Sequence, residues 1–190
     1  MTYHADILRE GNTYALYPYY PWHSNMRNEF TNRMLDFKNN KLSAVNWFKA
    51  RSVDAVSFLE EDFRGIVDDL YVMAAPCSSV QKVNVSCESI ASYLDQNFSW
   101  LHYVPQSLVR IKDVPKAATA SKENRPRPMY QDHIRTIRYR GPVLNPFYGI
   151  IVIDDVLTTS STFNACYAIL RQTTPCEHIF GLFMGKTQFG

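Results

Sequence analysis

Apolar residues in this chain alternate between short runs and helix-spaced faces, and the same order appears twice. Leu70 to Ala75 is an apolar run of strand length. The loop Pro76-Cys77-Ser78-Ser79 follows, and then Val83, Cys87, Ile90, Ala91 and Leu94 recur at the spacing of one helix face. Trp100 to Val104 predicts the next strand. Further on, Phe147 to Ile153 predicts a buried strand and Asp154 to Ser161 a loop. Phe163, Cys166, Tyr167 and Leu170 then mark a helix face, and Ile179 to Met184 a final strand. Strand–loop–helix–strand units build parallel sheets. The pattern therefore predicts an α/β fold with a mainly parallel, twisted sheet flanked by helices.

The beginning of the chain has another texture. Residues 5–10 and 13–20 are extended-looking runs on either side of Gly11-Asn12, which predicts a hairpin. Pro18 and Pro21 imply an edge strand or an exit from the sheet. Residues 25–40 read as a helix with Phe30, Met34, Leu35 and Phe37 on its apolar face and Asn39-Asn40 at its end. A second helix is predicted from Leu42 to Leu59. Tyr17, Tyr19, Tyr20 and Trp22 suit either a platform that stacks a base or a local core and dimer contact, so a homodimer stays open. The division expected is residues 1–66 as an N-terminal aromatic hairpin and helical hood, and residues 67–190 as the α/β core.

Charge changes the picture in one place. Segment 110–140 holds nine Lys or Arg residues against three acids, and its centre, Pro115 to Pro128, has no apolar period. It reads as a mobile basic loop of about residues 110–130. The whole chain carries only +2, which gives net charge no weight as an argument for nucleic acid. The start, Met1 to Arg9, lacks the apolar core of a signal peptide, and no apolar stretch is long enough to span a membrane. Cys77, Cys87, Cys166 and Cys176 have neither metal-ligand spacing nor a disulfide framework, so free, mostly buried thiols and a cytoplasmic location are expected.

The chemistry concentrates after the second strand. Ligands of parallel α/β sheets bind beyond the carboxyl ends of the strands, where Asp154 and Asp155 stand. Thr158, Thr159, Ser160, Ser161 and Thr162 then supply five hydroxyls before a helix whose opening contains no acid. The N–H groups of a helix start are unpaired and favour anions, phosphate above all. Carboxylates accept hydrogen bonds from vicinal ribose hydroxyls or hold a divalent ion. Acids beside a phosphate cradle repel the ligand unless a sugar or a metal lies between them.

The stretch from Ile150 to Thr162 resembles the phosphoribosyl-pyrophosphate motif of type I phosphoribosyltransferases, matching at Asp154, Asp155, Val156, Thr158, Thr159 and Thr162. It departs at Ser160, where the family has a Gly that permits positive φ and close backbone approach to phosphate. A wider resemblance, from Lys38 to Thr187, is to the competence-protein ComF-like branch, without the cysteines that bind zinc at the start of many such proteins. This resemblance implies the type I phosphoribosyltransferase fold. It implies that Cys77, Ser78 and Ser79 hold pyrophosphate, and that the basic segment around Arg110 to Arg125 is the flexible catalytic loop, with Lys112, Lys116 or Arg125 closing over the leaving group. Asp154 and Asp155 are then catalytic and hold Mg2+ directly or through water, and Gly185-Lys186-Thr187 ends the last strand. The function implied is binding of phosphoribosyl pyrophosphate, or a nucleotide, and transfer of the phosphoribosyl group to a nitrogenous acceptor with release of pyrophosphate. Two other readings stand beside it: a non-catalytic regulatory or nucleic-acid-linked module that keeps the sugar-phosphate site, and an effector that hydrolyses nucleotides or phosphoribosyl pyrophosphate. Cys77 has no histidine placed by sequence to activate it as a nucleophile, and His133 reads as structural or surface.

Overall fold

The apolar runs form one sheet of seven strands in the computed structural model, which describes residues 7–21, 29–115 and 128–188. Its order is β1 (Leu8–Glu10), β2 (Thr13–Ala15), β9 (Ile179–Thr187), β8 (Gly149–Leu157), β4 (Leu70–Ala74), β5 (Leu101–Tyr103). The short β3 (Pro18–Tyr19) pairs with β9 beyond β2. Every pairing in the sheet is parallel except β1 with β2. The expected α/β class with a mostly parallel sheet flanked by helices is therefore correct. The hairpin turns at Gly11, whose φ of 57° is the conformation glycine tolerates.

Helices cover both faces, so the central strands are apolar throughout rather than alternating with polar residues. On one face Leu70, Val72, Ala74, Ile151, Ile153, Leu182 and Met184 meet α1 (Glu29–Lys38), α2 (Leu42–Arg64) and α3 (Val85–Asn97). On the other, Met73, Ile150, Val152, Ile179 and Phe183 meet α5 (Ser161–Thr173). A second, antiparallel sheet of β6 (Leu108–Arg110) and β7 (Ile137–Tyr139) packs there with α4 (Tyr130–Thr136).

The elements differ in detail from the expected ones. β8 does not end at Ile153. It continues to Leu157, because the long β9 offers Gly185 and Lys186 as partners to Val156 and Leu157, so the two acids stand inside a strand. Segment 110–140 holds regular structure beyond the loop expected over about residues 110–130. Its described parts contribute α4 and β7, whereas Lys116, Lys122 and Arg125 lie outside the described residues, as does Trp22. The second helix runs on to Arg64, since Phe63 prolongs its buried face while Glu60, Glu61 and Asp62 take the solvent side. Val83, read as part of a helix face, precedes α3 and is exposed.

The connections also create the site. From β4 the chain crosses by α3 to β5 on one side, and from β8 it crosses by α5 to β9 on the other. The neighbouring strands β4 and β8 thus lead away in opposite directions, which opens a crevice at their carboxyl ends. Ala74 is level with Ile153, and the next amide, Ala75 N, donates to the Ile153 carbonyl at 2.8 Å. Pro76-Cys77 therefore starts opposite Asp154-Asp155.

Candidate functional site

The acid pair is fixed by its own backbone. Asp155 N donates to Asp154 Oδ1 at 2.9 Å and Val156 N to Asp155 Oδ1 at 2.6 Å. Burial first, and then the adjacent Asp155 carboxylate, push the Asp154 carboxyl well above the ordinary carboxylate range. Asp155 has a partner of its own: Lys38 Nζ lies 3.3 Å from Asp155 Oδ2. Lys38 also stands over the Tyr19 ring, 5.7 Å from its centroid. Burial acts against the Lys38 charge, but Asp155, Tyr19 and Asp154 outweigh it and hold the ammonium above its usual value.

The hydroxyl loop is short. Thr158 and Thr159 are exposed, Ser160 is the residue before α5, and Ser161 and Thr162 are already in its first turn. Ser160 adopts φ 57° and ψ 4°, the left-handed region. Its side chain does not cap the helix, and the first turn carries no acid. The opening N–H groups of α5 are therefore offered to whatever lies in front of them. Thr159 Oγ1 and Ser161 Oγ are 3.0 Å apart, drawing two of the hydroxyls to one side.

The loop Cys77 to Ser79 faces this arrangement and is braced from the next sheet. Arg110 Nε donates to the Cys77 carbonyl at 2.9 Å, Val114 N to the Ser78 carbonyl at 2.9 Å, and Val80 N to Asp113 Oδ1 at 2.6 Å. Ser78 and Ser79 are partly exposed. Burial, and then Asp154 and Asp155, raise the Cys77 thiol, which favours its protonated form. All four cysteines are free, with Cys87, Cys166 and Cys176 buried.

Arg110 corrects the picture of a uniformly mobile basic segment. It is 5% exposed, and besides Cys77 it bonds Thr136 Oγ1 at 2.7 Å and faces His133 Nδ1 at 3.3 Å. No carboxylate touches it among the described residues; Asp154 acts on it through space. Burial, then Arg110, push the His133 imidazole down to about 4, so it is neutral and structural. Lys112 is exposed beside the braced loop, and Lys116 lies outside the described residues.

Cys77, Ser78 and Ser79 follow β4 and Asp154, Asp155 and the run from Thr158 to Thr162 follow the centre of the adjacent β8, and Lys38 and Arg110 stand beside these two stretches. Lys38 had no local signal beyond being a basic residue in the last turn of a helix. A groove lined by Lys49 of α2, Glu88 and Tyr93 of α3 and Tyr103 of β5 contains none of these residues. Among the described residues no group of three or more His, Cys, Asp or Glu side chains gathers to hold a metal. Two carboxylates, one of them already paired, do not make a protein cage. They do suit Mg2+ as it is usually bound, by one or two carboxylates together with a substrate's phosphates. No helix among the described residues is long and apolar enough to cross a membrane. No family model matches the sequence, and no curated protein matches it.

Proposed function

We propose that this crevice binds phosphoribosyl pyrophosphate and that the protein transfers its phosphoribosyl group to a nitrogenous acceptor, with a fold of the type I phosphoribosyltransferase kind. The observation that carries the reading is the left-handed turn at Ser160, which joins an acid-bearing strand to an uncapped helix start at the point where the sheet order reverses. A ribose 5-phosphate fits that order of groups. The phosphate would take the α5 N–H groups and the hydroxyls from Thr158 to Thr162, and the ribose hydroxyls would donate to Asp154 and Asp155.

The pyrophosphate would then lie toward Ser78 and Ser79, whose loop is held in place by Arg110, Asp113 and Val114. Mg2+, held by Asp154, Asp155 and the diphosphate, would supply charge neutralisation at the leaving group. As the C1–O bond breaks, the electron pair leaves with pyrophosphate, and the acceptor nitrogen's lone pair forms the new bond to C1. The proton that the acceptor nitrogen sheds passes to solvent, which keeps Asp154 and Asp155 for the ribose hydroxyls and Mg2+. Lys112, exposed near the braced loop, would approach the departing phosphates.

Titration calorimetry of the intact protein with phosphoribosyl pyrophosphate in the presence of Mg2+ tests the reading. Saturable binding that Asp155→Asn weakens is expected, and absence of binding overturns it. A second reading, a non-catalytic module that retains the sugar-phosphate site, is favoured by one observation: a Ser occupies the left-handed position at residue 160. Release of pyrophosphate, followed with a panel of nucleobases and ammonia, separates an enzyme from such a module.

A further inference from the structure

The crevice balances its own charge. Asp154 and Asp155 bring two acids next to the loop where the proposed ligand brings a phosphate, and such a pair ordinarily needs a cation between itself and an anion. Here the cations come from the protein. Lys38 Nζ meets Asp155 Oδ2 at 3.3 Å, and the buried Arg110 guanidinium, which donates to the Cys77 carbonyl, adds a second positive charge that acts with Asp154 through space.

Lys38 is not delivered by a loose arm. It ends α1, whose Met34 and Phe37 are buried, and a cation there is favoured by the helix dipole. The turn after it is clamped to the first turn of α3: Ser86 Oγ lies 2.8 Å from the Phe37 carbonyl and 2.7 Å from Asn40 Oδ1. Asn40 adopts φ 57°, which ends the helix directly after the lysine. The ammonium is thus held in front of the acid pair by the core itself.

We infer that Lys38 is a positioning residue that serves as the built-in counter-cation of the acid pair, so that the crevice takes the ribose 5-phosphate half of its ligand without a divalent ion. The inference rests on the proposed sugar-phosphate site and adds to its ligands sugar and nucleoside 5′-monophosphates bound without a metal. Mg2+ is then needed only where a diphosphate is present.

Calorimetry with ribose 5-phosphate as the probe tests this, in EDTA and in Mg2+, with thermal unfolding as the check on each variant. The wild-type affinity is expected to agree within about twofold between the two conditions, and a requirement for Mg2+ overturns the inference without any variant. Lys38→Met is expected to bind about tenfold or more weakly in EDTA, the change that loss of one charge-assisted contact brings, and to recover in part when Mg2+ is added. Lys38→Arg is expected to stay near wild type. A Lys38→Met protein that folds and binds as wild type overturns the role of Lys38 and leaves the sugar-phosphate site standing. A wild-type protein that binds neither ribose 5-phosphate nor phosphoribosyl pyrophosphate overturns the site itself.

Discussion

Ser160 is held in a conformation that costs a residue with a Cβ about 1 kcal/mol, and it stands where the chain leaves a strand for a helix. Replacing it with glycine removes that cost, though glycine also loses more freedom on folding. Ser160→Gly is expected to raise the unfolding free energy by roughly 0.5 kcal/mol in urea titrations and to tighten binding of a phosphate-bearing ligand. A variant that is less stable than wild type would contradict the left-handed turn, and an unchanged affinity would count against phosphate at α5. At this scale the sequence was informative. The acids and the hydroxyl run are local, and each depends on a few neighbours, whereas the positive φ at residue 160 was hinted at only by the Gly of the motif that the stretch resembles. Lys38 was not legible, because what places it at Asp155 is the clamp between the end of α1 and the start of α3, a contact between distant stretches.

The elements of the basic segment show where reading by pattern fails. β6 and β7 are three residues each, and only some of their positions are buried, so no periodicity marks them. Arg110 looked like one more lysine-or-arginine position in a solvated stretch. Its burial follows from three acceptors that come from other elements: the Cys77 carbonyl, the Thr136 hydroxyl and the His133 ring. The same knot makes the fold acid-sensitive. His133 is pushed down to about 4 in the folded protein, and an unfolded histidine titrates near its ordinary value. Between those two values the unfolded chain takes up a proton that the folded one refuses. The stabilisation is therefore complete above the unfolded pKa and is lost as pH falls toward 4, by about 1–3 kcal/mol. His133→Gln, which keeps an acceptor for Arg110 but does not titrate, is expected to flatten the slope of stability between pH 7 and pH 5 in urea titrations. An identical slope in the variant would remove His133 from that role.

At the scale of the whole molecule, the hairpin, α1 and α2 share a core with the sheet instead of sitting beside it. Phe37, Phe48, Val56, Leu59 and Phe63 pack on the same face as Leu70, Val72, Ile151, Ile153 and Leu182. The sequence placed a boundary near residue 66 because the pattern changes there, and pattern carries no information about which apolar faces meet. A fragment of residues 67–190 would expose that face together with one edge of β9. It is expected to aggregate or to lack a cooperative thermal transition, as read by circular dichroism and size-exclusion chromatography. A folded, monodisperse fragment would show that the N-terminal stretch is a separable unit. Both crossover units, by contrast, were legible from their apolar runs, since each is built from neighbours in sequence.

β9 has a further consequence, for the order in which the molecule is assembled. Asn12 Nδ2 donates to the Ile179 carbonyl at 2.6 Å, across a separation of 167 residues. Gly181 N donates to the Asn12 carbonyl and Leu16 N to the Phe183 carbonyl. On a ribosome, β2 would emerge early with only β1 beside it and β3 with no strand partner, both waiting until β9 is synthesised, and β8 would wait likewise on its β9 side. Closure of the sheet is then a late, long-range event of the kind that slows folding. Until it happens, the aromatic face of α1 and α2 is available to chaperones and to other nascent chains.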